Sequence, residues 1–105
     1  MVDEAHSTGV LGRTGHGIEE HFGLPDDCID IKMGTLSKAI PSTGGYVAGS
    51  KRLCAFLSHE SRSFIYSGAL APPAAAAALA AFDVIEQESC GGCLRVMVLR
   101  HRRTA

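Results

Sequence analysis

Short apolar runs alternate with glycine-rich polar stretches along most of this chain, and that alternation predicts its elements. Met1-Val2 ahead of Asp3-Glu4 reads as the last step of a buried strand. "HSTGVLGRTGHG" (6–17) carries Gly9, Gly12, Gly15 and Gly17, so it predicts a loop with unusual backbone angles. "IEEHFGL" (18–24) supplies one or two helical turns, closed by Gly23 and then Pro25. "CIDIKMGTL" (28–36) reads as a strand feeding a loop at 37–45, and "YVAGS" as a short strand ended by Gly49. Ser50 stands as the N-cap of a helix in which Leu53, Phe56 and Leu57 fall at helical spacing. "SFIYSGAL" (63–70) predicts a further short strand. Pro72 and Pro73 then open an alanine-rich helix, since proline suits a first turn and alanine has the best helix propensity.

Strands alternating with helices predict an α/β layer with a largely parallel sheet. No period of solenoid length is present. The 105 residues fit one small domain, and an apolar fraction of 46% with 20% charged residues suits a packed core rather than disorder. A net charge of −1 offers no broad attraction to nucleic acid or to an anionic membrane. No charged lead into an apolar run marks a secretory signal. The longest apolar run is alanine-dominated, opens with prolines, and suits a packed helix better than a bilayer span. Cys28, Cys54, Cys90 and Cys93 are too few and too unevenly spaced for a secreted disulfide framework, which points to reduced thiols and a cytoplasmic setting. Beyond residue 88 the pattern breaks: "CGGCLRVMVLRHRRTA" interrupts any helix with two glycines and ends in a basic tail. The division expected is therefore 1–88 and an aberrant tail at 89–105.

Asp3-Glu4-Ala5-His6 admits two chemistries. A helicase uses these four letters to hold Mg²⁺ beside ATP, but it needs a G-x-x-x-x-G-K-[ST] phosphate cradle upstream, and Lys32, Lys38 and Lys51 sit in no such frame. The other chemistry has positive support in "MGTLSKAIPSTGGYVAGS", where a strand end is followed by Thr35, Ser37 and Lys38, then Gly44 and Gly45. A lysine opening a loop among hydroxyls and glycines suits a cofactor that carries both an aldehyde and a phosphate. A carboxylate on a neighbouring strand end suits the nitrogen of the same ring. Carboxyl ends of strands are where α/β sheets gather such groups. Each feature alone is weak: a lysine after a strand is usually a solvated surface residue, and Asp-x-x-His is usually a cap or polar turn.

Together, in this order, they carry a resemblance. "VDEAHSTGVLGRTGHGIEEHFGL", "DIKMGTLSKAIPSTGGYVAGSKRL" and "FIYSGALAPPAAAAALAA" are similar to the α-oxoamine synthase group of fold-type I pyridoxal-phosphate-dependent transferases, within the aminotransferase class I/II superfamily. The resemblance spans residues 2 to about 88 and implies part of a large cofactor-binding domain, cut at both ends. It implies pyridoxal 5'-phosphate as cofactor, with Asp3 on the pyridine nitrogen, His6 on the ring's phenolic oxygen and Lys38 as the covalent attachment point and proton carrier. Thr35 would bind phosphate, Ser37 would assist, and Ser67 would face the phosphate of a neighbouring subunit in a homodimer. The implied reaction joins an amino acid to an acyl thioester such as acyl-CoA, with loss of CO₂, to give an aminoketone. The resemblance also implies that other parts of the site lie outside these residues, so that the chain alone binds cofactor poorly.

Other features have plainer readings. His16, His21, His59 and His101 match no role and read as surface or polar-turn residues. The four loop glycines read as shaping a loop beneath the site. Cys90-Gly-Gly-Cys93 has redox and zinc spacing but no second ligand pair, so no metal is expected. An aminotransferase or lyase of the same fold, a nucleic-acid motor and a non-catalytic remnant remain as rival readings.

Overall fold

A computed structural model describes residues 1–25 and 28–87. The tail at 89–105, with Cys90, Cys93 and His101, lies outside the described residues. The elements in chain order are β1 (Val2–Asp3), α1 (Ile18–Phe22), β2 (Ile31–Thr35), β3 (Gly45–Gly49), α2 (Lys51–Glu60), α3 (Arg62–Ile65) and α4 (Pro72–Gln87).

The three strands form one sheet in the order β1-β2-β3. β1 pairs with β2 in parallel, Val2 opposite Lys32 and Asp3 opposite Met33. The Glu4 amide extends the pairing by donating to the Met33 carbonyl at 2.6 Å. A parallel pair needs a long return path. Here the glycine loop and α1 lie on that path. β2 pairs with β3 antiparallel, from Ile31 opposite Gly49 to Thr35 opposite Gly45. The α/β class holds, but the sheet is less parallel than the alternation of elements suggests. The reason is the β2–β3 connection, residues 36–44, which contains no helix and is too short for a parallel crossover.

A second difference lies at 63–70. The expected strand is absent there: Arg62–Ile65 forms the single helical turn α3, with Ser61 as its N-cap. The Phe64 and Ile65 amides both donate to the Ser61 carbonyl, at 3.0 and 2.9 Å, and Tyr66 donates to Arg62 at 3.0 Å. Phe, Ile and Tyr favour strands only where a pleated neighbour receives them, and local helical bonds prevail here.

Three local expectations hold: the end of α1, the cap of α2 and the start of α4. Gly23 ends α1 in the left-handed conformation, its amide bonded to the carbonyls of Glu19 and Glu20. Ser50 caps α2, its hydroxyl accepting from the Leu53 amide at 3.2 Å. α4 starts at Pro72. Its inner face meets the loop between β2 and β3: Leu36 and Ile40 pack with Ala78 and Ile85 as the buried apolar cluster, flanked by Tyr46, Ala81 and Phe82. Ile40 is the most enclosed, at 1% exposure. The Ser42 hydroxyl adds a bond to the Ala74 carbonyl at 2.7 Å, so α4 braces the loop that carries Lys38.

The glycine loop also rests on α4. Gly9, at φ +76°, leaves little room for a side chain: a Cβ there would lie 3.1 Å from Ala39 Cβ and 3.3 Å from Ile85 Cδ1. The loop is stitched by Gly9 N–H to Gly15 (2.8 Å) and Gly17 N–H to Leu11 (3.0 Å). Glu20 closes it from outside, its carboxylate accepting from the amides of Thr14 (2.9 Å) and His16 (3.1 Å). Burial pushes the Glu20 carboxyl up, but the amides of His16 and Thr14 outweigh it and hold it below its ordinary value.

Candidate functional site

Strand alternation sets the site's first two residues. Successive side chains on a strand point to opposite faces, so Asp3 is exposed while Glu4 is buried. Asp3 stands at the carboxyl end of β1, and its Oδ1 accepts the Ala5 amide at 2.8 Å. This Asx-type turn fixes the carboxylate's direction. His6 follows in the turn closed by the Ser7 amide on the Glu4 carbonyl at 3.0 Å.

The second contributor is the loop after β2. Because β1 and β2 run parallel, their carboxyl ends lie side by side. Thr35 closes β2, and its Oγ1 lies 2.8 Å from Ser37 Oγ and 3.2 Å from the Gly44 carbonyl, to which it donates. The Ser37 amide donates to Thr35 Oγ1 at 3.3 Å. Lys38 comes next, and the exposed loop carries its amine to 3.0 Å from His6 Nε2. Thirty-two positions separate these two residues in the chain.

The structure thus joins His6 to Lys38 and Thr35 to Ser37, with Asp3 on the adjacent strand end. Ser67 falls elsewhere. It donates to the Phe64 carbonyl at 3.3 Å and lines a hollow of about 510 Å³ between β3, α2 and α3, with Tyr46, Cys54 and Leu57.

Two further residues take part to which the motif reading assigns no role, Glu4 and Tyr46. Glu4, 3% exposed, accepts the Ser7 hydroxyl and the Ile18 amide, the latter at 3.3 Å to both carboxylate oxygens. Tyr46 joins the Thr8 hydroxyl at 2.7 Å and lies over Gly34, where a Cβ would come within 2.5 Å of its ring. Period-two alternation carried one residue past β1 is the available signal for Glu4. Tyr46 has only its place opposite Gly34, which needs the strand register. Among the described residues no group of three or more His, Cys, Asp and Glu side chains could hold a metal ion, and no helix is long and apolar enough to cross a membrane.

The donor set is an amine, an imidazole, a carboxylate and two hydroxyls at neighbouring strand ends. Such a set suits one ligand with an aldehyde, a basic ring nitrogen and a phosphate. The backbone has solved counterparts. An 8-amino-7-oxononanoate synthase from Francisella tularensis matches with a TM-score of 0.69 and 34% identity, over 83% of this chain and 26% of that one. A serine palmitoyltransferase solved with pyridoxal phosphate matches with a TM-score of 0.72 and 33% identity, over 80% of this chain and 21% of that one. The fold is therefore that of the fold-type I pyridoxal-phosphate enzymes, here as a three-stranded α/β portion.

The chain belongs to the aminotransferase class I and II family, whose model matches residues 1–104. Within that family its relatives fall in the α-oxoamine synthase group. A putative 8-amino-7-oxononanoate synthase of Acetivibrio thermocellus is 56% identical over 88 residues, covering 84% of this chain. The chain spans about a fifth of the length of such relatives, 22% in that case.

Proposed function

We propose that this chain forms the lysine-bearing part of a pyridoxal-phosphate site in an acyltransferase of the α-oxoamine synthase group. The observation that supports this most is the 3.0 Å approach of Lys38 Nζ to His6 Nε2 at the ends of two parallel strands. When bound, pyridoxal phosphate supplies an aldehyde for attachment and an electron-withdrawing ring that stabilises negative charge at an amino acid's α-carbon.

The residues have separable tasks. Lys38 would hold the cofactor through its amine and would carry the proton at the amino acid's α-carbon. Asp3 keeps the ring nitrogen protonated by placing a carboxylate against it. His6 sets the ring's orientation through its phenolic oxygen. Thr35 and Ser37 hold phosphate oxygens with paired hydroxyls, and Ser67 serves the phosphate of a partner subunit in a cytoplasmic homodimer. For the whole enzyme, a C–C bond forms between the α-carbon and the carbonyl of an acyl-CoA. The C–S bond breaks to release CoA, the carboxylate leaves as CO₂, a proton returns to the α-carbon, and an aminoketone remains.

Asp3, His6, Ser37 and Lys38 all stand at least partly open to solvent in this chain, so water competes for each of their bonds. Equilibrium occupancy by cofactor is expected to be low, and covalent trapping is the suitable readout. The chain is mixed with pyridoxal phosphate, reduced with borohydride and mapped by peptide mass. The expected result is a pyridoxyl group on Lys38 well in excess of Lys32 and Lys51, abolished at that site in Lys38→Ala. Even labelling of the three lysines would overturn the assignment. For the reaction class, CO₂ release from an amino acid that depends on acyl-CoA separates this reading from an aminotransferase, which needs no thioester.

A further inference from the structure

We infer that Glu4 is a positioning residue: it holds closed the turn that aims His6 at Lys38. The Ser7 amide donates to the Glu4 carbonyl at 3.0 Å, and the Ser7 hydroxyl donates to the Glu4 carboxylate. Both closures of the turn Glu4-Ala5-His6-Ser7 therefore end on one residue, and His6 lies between them. The Thr8 amide adds a third bond to the same carbonyl at 3.1 Å.

Glu4 is itself fixed from three sides. Its amide continues the β1–β2 ladder to Met33. Its carboxylate accepts the first amide of α1, that of Ile18. Gly17 presses against it: with φ +90°, a Cβ at that position would lie 2.5 Å from Glu4 Oε2. Ser7 is 4% exposed, so the closure is shielded from competing water. A buried charged acceptor with matched donors makes a stiff connection. That stiffness passes to an imidazole whose contact with the Lys38 amine, at 3.0 Å, lies on the exposed side of the turn. Glu4 touches neither Lys38 nor the exposed face where a ligand would sit, and it acts through His6.

The consequence for cofactor attachment rests on the proposed function, whereas the geometry does not, and two readouts separate them. The first is the ¹⁵N resonance of the His6 ring, which reports its contact with Lys38 without cofactor. The second is pyridoxyl labelling of Lys38 relative to Lys51 after borohydride reduction. Glu4→Ala is expected to move the His6 resonance toward that of a free imidazole and to lower the labelling ratio about fivefold, the equivalent of about one net hydrogen bond. His6→Ala should lower it equally, and Glu4→Ala with His6→Ala no further, because the two lie on one path. A purely structural Glu4 would instead give losses that multiply. Glu4→Gln keeps an oxygen for the Ser7 hydroxyl but presents a donor toward Ile18, so a partial shift of the resonance is expected, and it serves as the test should Glu4→Ala fail to fold. An unmoved His6 resonance in a folded Glu4 variant, or multiplying losses, would overturn the inference. A resonance that moves while native Lys38 shows no preference for pyridoxal phosphate would uphold the positioning role and reject the cofactor reading.

Discussion

Replacing Gly17 by alanine loads the contact between the glycine loop and Glu4. Gly17 holds φ +90° and ψ −148°, near the region that glycine alone occupies freely. A side chain there costs about 1–3 kcal/mol in backbone strain. The added Cβ would also sit 2.5 Å from Glu4 Oε2 and 3.1 Å from its carboxyl carbon. Glu4 is buried and cannot give way without releasing the Ser7 hydroxyl or the Ile18 amide. Losing a hydrogen bond to a charged group costs about 1.5–3 kcal/mol, so the whole effect is about 2.5–6 kcal/mol. Gly23 provides the control. It too has positive φ, +61°, but nothing lies within 4 Å of a Cβ there, leaving only a left-handed cost of about 1–2 kcal/mol. Urea unfolding followed by far-ultraviolet circular dichroism should therefore find Gly17→Ala less stable than Gly23→Ala by about 1.5–3 kcal/mol, from the charged hydrogen bond alone. A first variant that is unfolded in buffer while the second stays folded would support the same placement of Glu4. Equal losses would refute it.

Two further outcomes follow from the packing and the charges. Ile40→Ala removes the most enclosed side chain between the Lys38 loop and α4 and should cost about 2–5 kcal/mol in the same urea assay, and it should make Lys38 labelling by pyridoxal phosphate less selective. The Lys32 ammonium bonded to Glu19, helped against desolvation by the Ile29 amide, holds the Glu19 carboxyl below its ordinary value. A carboxylate with a depressed folded value adds stability above its unfolded value and loses it as pH falls through the folded one. Thermal unfolding in acid should accordingly show a shallower decline for Glu19→Gln than for the native chain, and parallel declines would contradict the pairing.

Local rules make much of this legible. Helix α4 follows from two prolines and an alanine run, the cap of α2 from Ser50, and the end of α1 from Gly23, because each depends on bonds between near neighbours. Asp3, His6, Thr35, Ser37 and Lys38 are visible as a motif at fixed spacing. The strand expected at 63–70 does not form because apolar and aromatic residues state a tendency, and only a neighbouring strand can realise it. Ser67, which the resemblance turns toward a neighbouring subunit, lines a hollow apart from the Lys38–His6 contact of this chain.

The amino-acid order by itself determined which chemical groups are present and which short segments coil, cap or turn. Tertiary structure decided which of those groups meet. Parallel pairing of β1 with β2 put two strand ends together, the short β2–β3 connection forced an antiparallel neighbour, and α4 seated the loop that delivers Lys38 to His6. Contacts across 32 positions depend on register and on the burial of Ile40 and Glu4, quantities that no local window contains.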